Sequence, residues 1–552
     1  MRRSTLAVLI GLAWLGSATN LSVAQSQPAA SSGAVKERIA RVENAFPPIS
    51  MGTNQPPIQL NLQQVMQISN VPGLSVAVIE HYKIAWAKGY GVTEAGGNTP
   101  VTVHTLFPAC SISKPIAAMA ALSLVEKGKL SLDEDVNRKL KSWKVPENEF
   151  TREQKVTLRR ILTHTAGTTG WGFPGYPAGQ PIPTLLQVLN GEKPANTEPV
   201  RVDFVPGTKQ RYSGGGFLVL QQLMLDATGK PFPQVMQDLV LHKLRLKDST
   251  FEQPLPASRA GAAVSGHNET GVPIAGKRTV NPEMAVGGLW TTPSDLGRIA
   301  IEVALSRQGR SNRVLSTRMT REMLRLQVDP KIESAGGPSM RMGLGWRLGD
   351  ESDPGRFGHD GVNLGFRAEL IMWDDGHGVV VMWNNWSFAS QLVARYLINA
   401  IAKEYGWSYR VTPYTPALYA DTELLAIAKL RGAQAAIERY HELKKLSAEQ
   451  KGKVPPAVVF TSDPPDFAPN EWDLFGLANT IADPDHLQDA IEILKVEIQE
   501  YPRFSRAYRA LASFYARTGE KAPAIEAYEK LLQLEPGDED ATAALKELRQ
   551  EK

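Results

Sequence analysis

Two β-branched, Ala-rich runs, Gly73–Glu80 and Lys83–Val92, flank a short polar turn and read as a hairpin. A second hairpin is predicted over Phe366–Trp373 and Gly378–Asn385, around the turn Asp374-Asp375-Gly376-His377. Between the two, apolar residues recur at three and four spacing over Ser111–Lys127, which predicts a helix stopped by Gly128. Phe217–Thr228, closed by Gly229, is a further helix, and the rest of about 130–340 mixes short helices with Gly/Pro loops. Amphipathic helices are expected over 35–45 and over Gln391–Tyr405. Strands at both ends and helices in the middle imply an α+β fold. Its antiparallel sheet would be built from both ends, flanked by helices, with the middle inserted as a helical subdomain. A cleft between the two parts is the natural place for a site.

Downstream, 409–469 reads as a connector with one helix, Thr422–Lys445, followed by the Pro-rich run Lys451–Pro469. Beyond it apolar positions recur with a period of 34: Pro502 and Pro536, Ala490 and Ala524, Leu494 and Tyr528, Leu477 and Leu511. Tyr508, Leu511, Ala512, Tyr515, Gly519, Ala524, Tyr528 and Pro536 fall where a tetratricopeptide repeat places its large, small and helix-ending residues, and the second copy resembles that repeat well. Ala541–Arg549 would be the capping helix. Two repeats and a cap leave faces uncovered, so the region should pack on another part of the chain or on a second protein.

The first residues change the setting. Arg2 and Arg3, the apolar stretch Leu6–Leu15, and Ser22 and Ala24 at −3 and −1 of a cut after Ala24 form a secretory signal. The apolar stretch is too short for a comfortable span, and no membrane span is expected once it is removed. With 42 % hydrophobic and 21 % charged residues over 552, the chain has the composition of a folded globular protein. Lys+Arg 61 against Asp+Glu 57 is too balanced for nucleic acid as the main partner. The single cysteine, Cys110, excludes an intrachain disulfide and any multi-cysteine metal site, and is read as a buried small residue.

The remaining chemistry rests on oxygen and nitrogen side chains. The chain has no G-x-S-x-G elbow, no H-E-x-x-H and no G-x-x-x-x-G-K-[ST], and no motif calls for a metal or organic cofactor. Ser111 is the only serine with a lysine three residues on, in Phe107-Pro108-Ala109-Cys110-Ser111-Ile112-Ser113-Lys114-Pro115. At a helix start, positions i and i+3 share a face, so the hydroxyl and the amine can meet. A hydroxyl needs a base before it becomes a nucleophile, and a lysine serves if burial or a nearby cation lowers its pKa. Alone, this motif is equally a helix-capping serine beside a solvated lysine.

Two further segments add to it: Pro206-Gly207-Thr208-Lys209-Gln210-Arg211-Tyr212-Ser213-Gly214 and Phe357-Gly358-His359-Asp360-Gly361. In order and spacing, Ser111–Lys114, Tyr212 and His359–Gly361 resemble the three motifs of the serine β-lactamase and penicillin-binding protein superfamily, closest to its class C branch of carboxypeptidases, D-amino-acid peptidases and esterases. Leu162-Thr163-His164-Thr165-Ala166-Gly167 and Gly287-Gly288-Leu289-Trp290-Thr291-Thr292 also look like segments of that family, and the resemblance covers about 35–405. It implies a β-lactamase/transpeptidase-like domain over 35–408, after a signal peptide (1–24) and linker (25–34), with the connector (409–469) and repeats (470–552) behind it. Ser111 would be the acyl-accepting nucleophile. Lys114 and Tyr212 would relay the proton, with Tyr212 favoured as base because Lys114 would hold its phenolate form. The backbone N–H groups of Ser111 and of Val362, which follows Gly361, would form the oxyanion hole. His359 stands where β-lactamases carry a lysine, and Gly214 where many carry an amide-binding asparagine, so contacts to a substrate carboxylate and amide should be weaker or pH-dependent. His164 is read as structural, shaping its loop.

The expected function is therefore an exported, periplasmic or secreted, serine hydrolase acting through a Ser111 acyl-enzyme on an amide or ester, with a D-amino-acid peptide or small ester as substrate. Hydrolysis of β-lactam antibiotics as the biological task is the alternative within the enzyme class. An inert exported scaffold that recruits a protein through its repeats is the alternative outside it.

Overall fold

The computed structural model describes residues 32–46, 48–49, 51, 55–336, 339–387, 389–407, 416–450 and 470–550. The signal segment, most of the linker and the Pro-rich run Lys451–Pro469 lie outside the described residues.

Six strands form the central sheet: β1 (Gly73–Glu80), β2 (Lys83–Gly91), β3 (Arg347–Leu348), β4 (Arg356–Asn363), β5 (Phe366–Trp373) and β6 (Gly378–Trp383). Their spatial order is β2-β1-β6-β5-β4-β3, and every neighbouring pair is antiparallel. The two hairpins join where β1 meets β6, in register from Leu74 opposite Trp383 to Ile79 opposite Gly378. Side chains alternate along a strand, so a sheet covered on both faces reads as an unbroken apolar run. Gly378–Trp383 is such a run. Val380 and Met382 enter the core shared with the helical subdomain, while Val379, Val381 and Trp383 enter the core on the other face.

That second face is covered by helices from outside the insertion: α1 (Ser32–Glu43), α2 (Leu62–Ile68) and, near the end of the block, Ser390–Glu404. Residues 32–34, assigned to the linker from sequence, are the first turn of α1. The inserted subdomain supplies α3 (Ser113–Glu126), α4 (Gly214–Thr228) and α5 (Pro293–Arg307) to the first face, and Ser390–Glu404 is α6. Strand β3 pairs with β4 only at Phe357 and Gly358, so from His359 onward one edge of β4 is left for something other than a strand. The turn Cys110–Ile112 fills that place: a Cβ on Gly361 would lie 2.5 Å from the Ala109 carbonyl oxygen and 3.1 Å from the Ser111 nitrogen. Only glycine lets the strand come this close.

Three local expectations are corrected. The helix predicted from Ser111 starts at Ser113, and Ser111 belongs to a tighter 3-10 turn ahead of it. The helix predicted from Phe217 starts at Gly214, because the Ser213 hydroxyl caps it by accepting the Gly216 N–H at 3.1 Å. The single connector helix is two, α7 (Pro416–Arg431) and α8 (Ala433–Gln450), divided at Gly432, whose φ of +83° takes the chain out of the helix. Behind them follow α9 (Asp473–Ile481), α10 (Leu487–Glu500), α11 (Ser505–Thr518), α12 (Lys521–Leu534) and α13 (Glu539–Gln550). The starts of α10 and α12, and of α11 and α13, are 34 residues apart.

Helices α7 and α8 share one core with α9–α12, through Ala428, Ala436 and Tyr440 against Ala478, Ile491 and Leu494. The helical array also packs on the sheet domain, with Met51, Ile58 and Ile68 in the same cluster. Asn70 is the polar hub of that junction. Its amide donates to the Glu269 and Thr480 carbonyls at 2.9 and 2.8 Å, and its oxygen accepts from Lys429 Nζ at 2.6 Å.

Candidate active site

The nucleophile turn is fixed from both sides by the segment around Leu289. Ala109 N–H donates to the Leu289 carbonyl at 2.7 Å, and the Ser113 hydroxyl accepts the Leu289 N–H at 3.0 Å. Cys110 adopts a φ of +51°, a left-handed conformation that a side-chain-bearing residue resists, and so hands Ser111 out of the chain path. The Cys110 side chain is buried, and burial pushes its thiol pKa up, so the sulfur is inert packing as expected. Ser111 itself is partly exposed.

Lys114, Tyr212 and Ser111 meet. Lys114 Nζ lies 2.9 Å from Ser111 Oγ and donates to the Val286 carbonyl at 3.1 Å. The Tyr212 hydroxyl lies close enough to the Ser111 side chain to lower its own pKa, and Lys114 Nζ is 5.0 Å from the centre of the Tyr212 ring. Lys114 is 1 % exposed, and that number decides its chemistry. Burial first, then the Arg347 guanidinium, bring its pKa down to about 7. The enclosed Tyr212 hydroxyl moves the other way, because burial raises its pKa beyond what Arg347 and Ser111 recover. Burial thus moves the two groups in opposite directions: it favours the uncharged amine of Lys114 and the un-ionised phenol of Tyr212, and so gives no support to a phenolate held by Lys114.

His359 and Val362 lie on β4 beside this cluster. His359 is buried 6.2 Å, ring to ring, from Tyr212, and its Nδ1 donates to the Asp360 carbonyl at 2.5 Å. Burial and the nearby Arg347 push its pKa down, which favours the neutral ring. Val362 is 37 % exposed, at the open edge of β4. Gly214 is filled in: a Cβ there would meet the Phe173 ring at 2.9 Å and Val286 at 3.1 Å. An asparagine does not fit at this position as the loop stands, and the wall is apolar.

Three residues of this site were missed from sequence. Arg347 on β3 forms an ion pair with Asp360, whose side chain is half exposed, and its guanidinium carbon lies 5.8 Å from the Tyr212 ring centre. Nothing local marks it, since β3 reaches the site only through the sheet order. Phe173 and Trp171 belong to the loop Gly170-Trp171-Gly172-Phe173. Trp171 is 73 % exposed, with its ring 6.2 Å from that of Tyr212. Aromatics alternating with glycines in an otherwise polar loop were the available signal.

Comparisons with known proteins bear on this geometry. Among curated relatives, a β-lactamase of Pseudomonas fluorescens is 28 % identical over 242 residues, covering 43 % of this chain and 62 % of the relative. Esterase EstB of Burkholderia gladioli is 29 % identical over 202 residues, covering 35 % and 50 %. The teichoic acid D-alanine hydrolase of Staphylococcus aureus is 22 % identical over 229 residues, covering 42 % and 53 %. The chain thus spans between half and 62 % of the length of these relatives. The structure of an octameric penicillin-binding protein homologue from Pyrococcus abyssi superposes with a TM-score of 0.53 at 21 % identity, over 66 % of this chain and 79 % of that one, which supports the fold. The family model described as Beta-lactamase matches residues 58–403, from ahead of β1 to the last turn of α6, with Ser111, Lys114, Tyr212 and His359 inside the match. On that match, which spans the sheet and the whole inserted subdomain, the chain belongs to the Beta-lactamase family.

Proposed function

We propose that this protein is an exported serine hydrolase that forms an acyl-enzyme on Ser111. The observation that carries the reading is the water-stripped Lys114 amine, down to about 7, at 2.9 Å from the Ser111 hydroxyl. Neutral Lys114 takes the Ser111 proton as Oγ bonds to the substrate carbonyl carbon, and the carbonyl oxygen becomes an oxyanion facing the Ser111 and Val362 N–H groups. The oxyanion collapses and expels the leaving group, which takes a proton relayed through the Tyr212 hydroxyl from Lys114. Water then attacks the acyl-enzyme with the same groups acting in reverse, releasing acid and free Ser111.

The site favours small esters and D-amino-acid derivatives over substrates anchored by a carboxylate. His359 is neutral, the Arg347 charge is answered by Asp360, and Phe173 occupies the place of an amide-binding side chain. The names of two relatives, an esterase and a D-alanine hydrolase, point the same way. Export rests on the N-terminal signal pattern. The test is intact mass after exposure to p-nitrophenyl acetate, a D-alanyl ester and nitrocefin. An acyl mass gain on the wild type that is absent from Ser111→Ala is expected with the two esters, with slower turnover of nitrocefin. An equal gain on Ser111→Ala would remove Ser111 as nucleophile.

A further inference from the structure

One buried residue in the site wall has no part in the proton relay, yet it touches three consecutive residues of the Tyr212 segment. The His164 carbonyl accepts the Arg211 N–H at 2.9 Å. Its Nδ1 accepts the Ser213 N–H at 3.1 Å. Between these two bonds its ring lies on the Tyr212 ring, with centroids 4.4 Å apart and planes at 33°. Phe217, on the first turn of α4 after Ser213, backs the same imidazole at 5.5 Å.

The tautomer follows. His164 is 3 % exposed, and burial, aided by Lys114, His359 and Arg347 facing it, drives its pKa well below the ordinary histidine value. A neutral ring whose Nδ1 accepts from a backbone N–H carries its proton on Nε2. That Nε2 is enclosed and finds no hydrogen-bond partner among the described residues, so they offer it no path for a proton to or from Ser111. The backbone supports a holding role too. His164 has a φ of +60°, a left-handed conformation that residues with a Cβ rarely adopt, and this turns its carbonyl and its ring toward the same three residues.

We propose that His164 is the positioning residue for Tyr212: a hydrogen-bond acceptor and stacking face that holds the phenol beside Ser111 and takes no part in moving the proton. This rests on the Ser111 acyl-enzyme reading above. It separates the two nitrogens of one imidazole, making Nδ1 the atom that matters and Nε2 dispensable.

The test uses the full chain with p-nitrophenyl acetate turnover and Ser111 labelling by a fluorophosphonate. His164→Asn keeps an acceptor near the place of Nδ1 and accepts a positive φ. His164→Gly accepts that φ but offers neither acceptor nor ring. His164→Leu keeps bulk alone. Expected is kcat within about fivefold of wild type for Asn, and a loss of about a hundredfold for Gly and Leu with KM little changed, the size that follows from misplacing a reacting group by about 1 Å. All variants should keep the acidic limb of the wild-type pH profile, because Lys114 and not His164 titrates there. Equal activity of Gly and Asn, or loss of that limb in all three, would overturn the proposal. If Leu fails to fold, the Asn–Gly pair decides alone, since both accept the backbone conformation. Failure of the wild type to label at Ser111 sinks the acyl-enzyme reading and this inference together, whereas wild-type labelling with Gly equal to Asn sinks only this one.

Discussion

A buried lysine amine that faces an arginine and lies against a serine hydroxyl has its pKa brought down to about 7, and on the proposed mechanism this sets the pH response of the reaction. Ester turnover needs the amine uncharged, so kcat/KM should rise with pH as Lys114 titrates at about 7 and level off above it. At pH 5 the active fraction is roughly a hundredth of its plateau. A rate flat from pH 5 to 8, measured with a substrate stable over that range, would remove Lys114 as base. Gly214 gives a second prediction. Gly214→Asn drives its side chain into the Phe173 ring and Val286, and overpacking of this kind costs about 1–3 kcal/mol. Phe173→Ala opens that space, so the double variant should be more stable than the sum of the two single changes. Additive thermal midpoints in the double-mutant cycle would mean that the two residues do not compete for the space. At this scale the Ser-x-x-Lys spacing and the tyrosine were legible, because chemistry confines them to residue types at short distances. The opposite directions of their pKa shifts were not, because burial and Arg347 set them.

The short helical turn Met284–Gly287 carries the Val286 carbonyl that anchors Lys114, and it starts from a buried acid. Glu283 is 1 % exposed, and beyond its own backbone N–H its carboxyl finds no hydrogen-bond partner among the described residues, so burial raises its pKa to about 8. A carboxyl with a raised folded pKa contributes no instability below its ordinary value. It costs progressively more as pH climbs toward the folded value, because the unfolded chain ionises first. Glu283→Gln removes that cost. Its stability should match the wild type near pH 4.5 and exceed it at pH 7 by an amount on the order of 3 kcal/mol, read as a higher thermal midpoint. A gap that stays constant across that range would show that the acid titrates normally. The elements themselves followed the apolar pattern closely, and the departures have local causes. Gly432 divides a helix that periodicity ran together, and Ser213 caps a helix earlier than its first apolar residue.

In the whole molecule the helical array is held at its base by the Asn70 hub and by apolar packing that runs from Met51 to Tyr515. Because α7 and α8 lie in that same core, proteolytic cleavage within 451–469 should leave the two pieces associated, eluting together on size exclusion. Lys429→Ala strips the Asn70 oxygen of its partner and should lower the stability of the junction by about 1–3 kcal/mol, read as earlier melting of helical signal. Separate elution of a folded C-terminal piece from the nicked wild type would show a mobile module instead.

The sequence alone determined the strands, the long helices, the 34-residue period and the residue types of the reacting cluster, because periodicity and short motifs record local geometry and the sides of elements that face a core. Only the tertiary structure decided that β3 carries Arg347 to the Tyr212 ring, that Phe173 fills the space over Gly214, that His164 brackets Tyr212, and that burial lowers the Lys114 pKa while raising that of Tyr212. These depend on which distant segments meet, and on how much water their meeting removes.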